Sequence, residues 1–235
     1  MTARDLLGLV ASYAYASTLI AVAELLRRVA GMPQQLTRKL VHIGAGMWVL
    51  GALALFDHWE IGIIPFASFI LINYLLYRYR VFAAMDIANS APGTVYFAMA
   101  VTLLFGLLWR PAGPVDHAPA AVAGAMALTW GDALAALVGQ RWGRHRYQVS
   151  GSERSWEGSA AMFLASLVAI FLALVLLSGS PLSPRSPPLS VGDALLAALP
   201  AAGAATLAEA VAPNGTDNLS VPLAAAVIVL IGMRG

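Results

Sequence analysis

TWGDALAALVGQRWGRHRYQVSGSERSWEGS, residues Thr129 to Ser159, is the stretch around which the rest of the chain can be read. It starts inside an apolar run, where Asp132 sits among Trp130, Ala133 and Leu134, and then becomes the most basic segment of the protein. A carboxylate set in hydrocarbon shortly before Arg141, Arg144, Arg146 and Arg154 is costly unless something uses it. A divalent metal carrying a polyphosphate would use both halves: the carboxylate would hold the metal, and the arginines would neutralise phosphate oxygens.

The surrounding composition sets the solvent. Of 235 residues, 60% are hydrophobic and only 11% charged, which excludes a water-soluble enzyme and points to a membrane protein. About eight apolar spans follow one another with short polar breaks: Leu6 to Leu26, Leu40 to Phe56, Ile61 to Tyr77, Ala91 to Trp109, Ala118 to Val138, Ser159 to Leu177, Ala194 to Ala210 and Leu219 to Met233. Alternation at a period of two is missing and an open sheet cannot survive in lipid, so the expected fold is all-α, polytopic, and one membrane-embedded domain over residues 1–235. The first run, preceded by Arg4 and Asp5 and lacking a small-residue cleavage site, reads as a retained span. With no Cys in the chain, a metal would need oxygen or imidazole ligands. A formal charge of +2 gives no footing for nucleic acid.

Charge distribution predicts an orientation. The first, third and fifth connections carry Arg27, Arg28, Arg38, Lys39, Arg78, Arg80, Arg141, Arg144, Arg146 and Arg154, whereas the second carries Asp57 and Glu60. Positive charge marks the cytoplasmic side, so the odd connections are expected there and both termini outside. The seventh connection, around Pro213 to Asn218, then brings Glu209 and Asp217 to the same face as the arginines of the fifth. The sixth, SGSPLSPRSPPLS, reads as a flexible outer spacer.

Several polar positions ask for an explanation on that face. Asp132 lies nine residues before Arg141, about 13 Å along a helix at ~1.5 Å per residue, so it is buried yet within reach of the interface. Arg38, Lys39 and His42 share one helical face, either as membrane anchors and a packing histidine or as a cationic clamp on phosphate. Gly139, Arg141, Gly143 and Arg144 form a glycine-bearing basic turn suited to phosphate, though without the P-loop pattern. Ser155, Glu157 and Gly158 open the sixth span as an N-cap and first turn, a place that can also take an anion. Glu209, Asp217 and Asn218 offer oxygen donors for a hard cation such as Mg2+. Asn89, Ser90, Gly93, Thr94 and Tyr96 make another polar patch at the start of the fourth span, where packing and site are both open. Glycines such as Gly44, Gly46 and Gly51 read as close helix contacts.

Five segments in order, RKLVHIGAG (Arg38 to Gly46), PGTVYF (Pro92 to Phe97), GDALAALVGQRWGRHR (Gly131 to Arg146), SWEGSAAMF (Ser155 to Phe163) and EAVAPNGTDNLSVPL (Glu209 to Leu223), resemble the motifs of the polyprenol kinase family, which contains dolichol kinase and the phytol and farnesol kinases. The resemblance implies a CTP-dependent, Mg2+-requiring kinase of an isoprenoid alcohol, an integral multi-pass membrane protein with its active site facing the cytoplasm. By the same match, Asp132 and Asp217 would hold the metal with Asn218 and Glu209 in support, Arg141 and Arg144 would contact phosphate, and His42 and Arg38 would lie near the reacting groups. One departure stands out: the family commonly has Lys where this chain has Arg154, which keeps charge and changes geometry.

The chemistry of the residues converges on phosphoryl transfer. That reaction needs the donor, the metal and an acceptor oxygen in line, with positive charge around the equatorial oxygens. A lipid alcohol would approach laterally with its chain in hydrocarbon and its hydroxyl at the interface, and Asp132 or His42 would take the hydroxyl proton. The competing readings are a cytidylyltransferase that forms a CDP-lipid, and a small transporter with Asp132 lining its path.

Overall fold

The computed structural model describes residues 1–79, 92–213 and 215–233. Arg80, Asn89, Ser90, Ala91 and Asn214 lie outside the described residues.

Among the described residues eight helices follow the eight expected spans. They are α1 (Ala3–Val29), α2 (Gln34–Leu55), α3 (Trp59–Tyr79), α4 (Gly93–Leu108), α5 (Ala118–Trp142), α6 (Trp156–Leu177), α7 (Val191–Val211) and α8 (Asp217–Gly232). Six are long and apolar enough to cross a membrane; α4 and α8 are shorter and equally apolar. The protein is a multi-pass membrane protein. Helices satisfy their own backbone groups, which lipid cannot do for them. Their outer faces carry leucines and valines such as Leu107, Leu164, Leu176 and Leu207, exposed as befits a hydrocarbon solvent.

Inside, close contact replaces bulk. The first half of α5 is buried along its whole length, and α7 turns an alanine stripe from Ala194 to Ala205 into the core. Small side chains let backbones approach where no hydrophobic drive joins helices. Gly46 of α2 shows why: a Cβ there would collide with the Thr129 side chain of α5.

The connections sort into two ends. At one end, Asp5 of α1 accepts from the backbone N–H groups of Asp57 (3.0 Å) and His58 (3.1 Å), and Arg4 pairs with Asp57 at 3.2 Å. The fourth and sixth connections meet at the same end. At the other, the start of α2 reaches the second half of α5, and the fifth connection reaches the seventh, as the charge pattern predicts.

Two expectations are corrected here. The fifth connection is more than a basic turn: Arg146–Val149 (β1) pairs antiparallel with Ser152–Ser155 (β2), so the fold is helical apart from one hairpin. Its two-residue loop is Ser150 and Gly151, with φ of 52° and 77°, the left-handed pair that matches strand twist. The sixth connection is ordered by hydrogen bonds and is no loose spacer. Asp116, fully buried, accepts from the Ser183 hydroxyl (2.6 Å) and the Arg110 N–H (2.7 Å), while Ser186 donates to the Ser183 carbonyl at 2.8 Å. A buried carboxylate demands donors, and the serines supply them. Asp116→Ala therefore lowers stability by about 2–4 kcal/mol, since it strands several donors at once. Thermal unfolding in detergent measures the loss; because the change lies at the far end, turnover of the folded fraction stays at the wild-type level.

Candidate active site

The local geometry of α5 places the central acid. Over Ala127–Asp132 the helix widens into π geometry, an insertion often found at functional sites. The Thr129 hydroxyl donates back to the Ala125 carbonyl at 2.7 Å, the kind of side-chain competition that disturbs a regular ladder. Asp132 leaves this segment toward α2. Its Oδ2 accepts from Lys39 Nζ at 2.6 Å, and the ammonium also reaches the Asp132 carbonyl at 3.3 Å. His42 Nε2 lies 3.2 Å from the Leu128 carbonyl and 3.5 Å from Asp132 Oδ2. Both oxygens only accept, so Nε2 carries the hydrogen.

A second charged group sits beside it. Arg154, on β2, extends its guanidinium to Glu209 Oε1 (3.0 Å), to the Glu209 carbonyl (3.2 Å) and to Asp217 Oδ2 (3.5 Å). Asp217 Oδ1 accepts from the Asn218 backbone N–H (2.9 Å) and side-chain amide (3.0 Å). The meeting of acids from the seventh connection with an arginine of the fifth is thus present. A planar fork can serve two carboxylates together where a single ammonium cannot, which gives the Arg in place of Lys a structural meaning. Arg154 Nε is buried with no partner among the described residues, a donor left for an anionic oxygen.

Arg38, Lys39, His42, Asp132, Arg154, Asp217 and Asn218 all line one cavity of about 550 Å³. A smaller cavity of about 220 Å³ lies beside it under the hairpin, with Gly139, Arg146, Ser155, Gly158 and Glu209 in its wall and Asp132 and Arg154 shared between the two. Other expected site residues stand differently. Gly139 is inside α5 and the Gly143 N–H is spent on the Gly139 carbonyl at 3.1 Å, so the phosphate-cradling turn with free N–H groups is absent. Gly139, Gly143 and Gly158 instead allow the ends of α5 and α6 to touch: a Cβ on Gly139 would come within 3.2 Å of Ser155 Oγ, and one on Gly158 within 3.0 Å of the Ala135 carbonyl. Ser155 caps α6 through the Gly158 N–H at 3.1 Å, and Glu157 ties the hairpin down through His145 Nδ1 at 2.7 Å. Arg141 and Arg144 are exposed at the rim, outside both cavity walls.

Three wall residues were not singled out from sequence. Gln140 borders both cavities; its spacing of four from Ala136 and eight from Asp132 was the available signal. Arg146 was noted only as part of the basic run. Asn73, whose side chain donates to the Thr94 carbonyl at 3.1 Å, is an intramembrane amide that the rule used for Asp132 would have flagged.

The donor set can be tested against a metal. Asp132, Asp217 and Asn218 offer oxygen on one cavity wall, yet among the described residues no three His, Asp or Glu side chains are grouped closely enough to enclose an ion. Mg2+ commonly takes one or two carboxylates and completes its shell with phosphate oxygens and water. The residues fit that ion and not one requiring a protein cage.

In this multi-pass helical protein a charged rim thus opens into a slot between helices. Comparison with known proteins gives the family. Over 226 residues the chain is 38% identical to phytol kinase of Synechocystis sp., covering 96% of this chain and 90% of that protein. It is 26% identical over 215 residues to the probable chloroplastic phytol kinase of Triticum aestivum (84% and 67% covered) and 26% over 208 residues to probable phytol kinase 1 of Oryza sativa subsp. japonica (81% and 62%). The chain belongs to the polyprenol/phytol kinase family. No family model and no solved structure matches it.

Proposed function

We propose that this protein phosphorylates the hydroxyl of an isoprenoid alcohol, with CTP as donor and Mg2+ as the metal, at the cytoplasmic end of the membrane. The observation that carries the reading is the larger cavity, charged at its rim and lined deeper mostly by apolar side chains, which suits a substrate with one polar end. The arginines and the lysine gathered at that end, Arg38, Lys39, Arg141, Arg144 and Arg154, support the cytoplasmic assignment.

Each side chain then has a task. The alcohol oxygen bonds to the γ-phosphorus as the bond to the β,γ-bridging oxygen breaks, CDP departs, and the hydroxyl proton passes to Asp132. Lys39 holds that carboxylate in place. His42 Nε2, already a donor, orients the π segment through Leu128 and leaves the proton to Asp132. Arg154, Arg38 and the rim arginines offset phosphate charge. Mg2+, held by Asp217 and Asn218 with Asp132 and Glu209 alongside, would neutralise the triphosphate.

Phosphoryl and cytidylyl transfer share these parts and differ in the phosphorus attacked. Purified protein in liposomes that hold both the alcohol and a phosphorylated lipid, given labelled CTP, separates them: label from the γ position enters the alcohol, and label entering the phosphorylated lipid from the α position instead would establish the transferase. Arg141→Ala raises the nucleotide KM about fivefold, the scale of an exposed charge contact, with the alcohol KM unchanged. A reversed pattern places Arg141 at the lipid.

A further inference from the structure

The long axis of the larger cavity runs along the helices, away from the charged rim. On α2 its wall extends from Arg38 to Trp48, ten residues, which is about 15 Å at ~1.5 Å per residue. The other helices agree on where it stops: Ser12 on α1, Phe66 on α3 and Val101 on α4 are the lining residues farthest from the site end of each helix.

That floor is built firmly. Trp48 Nε1 donates to the Ser12 hydroxyl at 3.1 Å, Ser12 donates on to the Gly8 carbonyl at 2.7 Å, and Tyr15 stacks on the Trp48 ring with centroids 4.6 Å apart. Tyr15 is itself held by the Gly44 carbonyl at 2.9 Å. Below the floor the outer half of the bundle is filled by rings: Phe66 meets Phe105 at 5.3 Å, and Phe105 meets Trp109 at 5.8 Å, the latter two fully buried. Among the described residues these packed rings stand in the way of a longer chain, because packed interiors yield little without strain.

We infer that this floor is a ruler that sets the length of alcohol the enzyme accepts, a reading that rests on the proposed kinase function of the same cavity. An extended chain advances ~1.2 Å per single bond, so about 15 Å takes in roughly a dozen bonds. Asp132 sits against Lys39 and His42, nine and six residues before Trp48, so a hydroxyl there leaves about 9–14 Å, and at four main-chain bonds per unit an alcohol of about two to three isoprene units reaches Trp48. A much longer polyprenol runs out of slot and must bend back past the rim or leave its tail outside, losing apolar contact and in-line placement. Specificity for short isoprenoid alcohols is therefore written into Trp48, Ser12, Phe66 and Val101, none of which touches the reacting atoms.

The full chain in liposomes, assayed for kcat/KM on geraniol, farnesol, phytol and a long polyprenol, tests this. Wild type favours farnesol over the long polyprenol by about tenfold or more, the scale on which a pocket discriminates by fit. Trp48→Ala opens the floor and moves the preference to longer alcohols. Val101→Phe raises the floor and lowers kcat/KM for farnesol more than for geraniol, with circular dichroism in detergent reporting that the variant is folded. A flat length profile in wild type, or profiles that neither variant shifts, overturns the ruler although the kinase function stands. No phosphorylation of any alcohol overturns the kinase function itself. A third arm needs no substitution: an alcohol of farnesol length with a diazirine at its tail end labels peptides containing Trp48, Phe66 or Val101, and labelling confined to outward residues such as Leu71 and Leu107 refutes a buried tail.

Discussion

Asp132→Ala lowers turnover by about a thousandfold or more while the protein remains folded and membrane-inserted. The carboxylate is the proposed proton acceptor and part of the oxygen wall facing the nucleotide, and losing a positioned base alone costs about 10²–10⁴-fold. Folding survives because Asp132 stands at the edge of a water-accessible cavity, so the Lys39 ammonium it releases is left facing solvent and not hydrocarbon. Asp132→Asn keeps the shape and removes the charge; an equal loss there assigns the effect to charge. The assay is γ-label transfer to alcohol, with thermal unfolding in detergent as the control. Near-normal turnover in either variant would take Asp132 out of the reaction.

Arg154→Ala has its largest effect on stability. Glu209 and Asp217 retain only 4% and 7% exposure, and each relies on the Arg154 guanidinium as its charge partner. Removing one member of such a network leaves buried charge uncompensated, which costs about 3–5 kcal/mol. The unfolding midpoint in detergent falls accordingly, and the hairpin detaches from the seventh connection. Adding Glu209→Gln to Arg154→Ala restores part of the loss, because it deletes a stranded charge. Arg154→Lys recovers less than wild type, since an ammonium cannot reproduce the forked contact. If Arg154→Ala unfolds at the wild-type temperature, the structural part of its role falls and only the ligand contact is left.

Much of this could be read from residue types. Spans of about twenty apolar residues, the bias of arginines toward one side and the acid at position 132 follow from what lipid tolerates, and the described residues form the eight helices and the two ends they require. The meeting of Arg154 with Glu209 and Asp217 follows from the parity of the connections. Pairing was harder to see. That Asp132 would find Lys39 depends on the phase of α5, and a π insertion shifts that phase without a composition signal. The glycines at 139 and 143 suit a phosphate-cradling turn and a close helix contact equally well, because flexibility and close packing both call for Gly, and only neighbours distinguish them. The sixth connection looked loose because Pro and Ser dominate it; its order depends on a buried aspartate about seventy residues upstream. The hairpin escaped notice because its strands are only four residues each.

The π segment of α5 has one more implication. An inserted residue turns everything after it by roughly 100° about the helix axis, given 3.6 residues per turn. The two halves of α5 therefore point different ways: the first is sealed among its neighbours, while the second delivers Asp132, Ala136 and Gln140 to the cavity. One continuous helix thus acts as both keystone and tool holder, and the sequence that builds the keystone is free to change without re-aiming the tool, provided the number of residues between Met126 and Ala133 stays fixed.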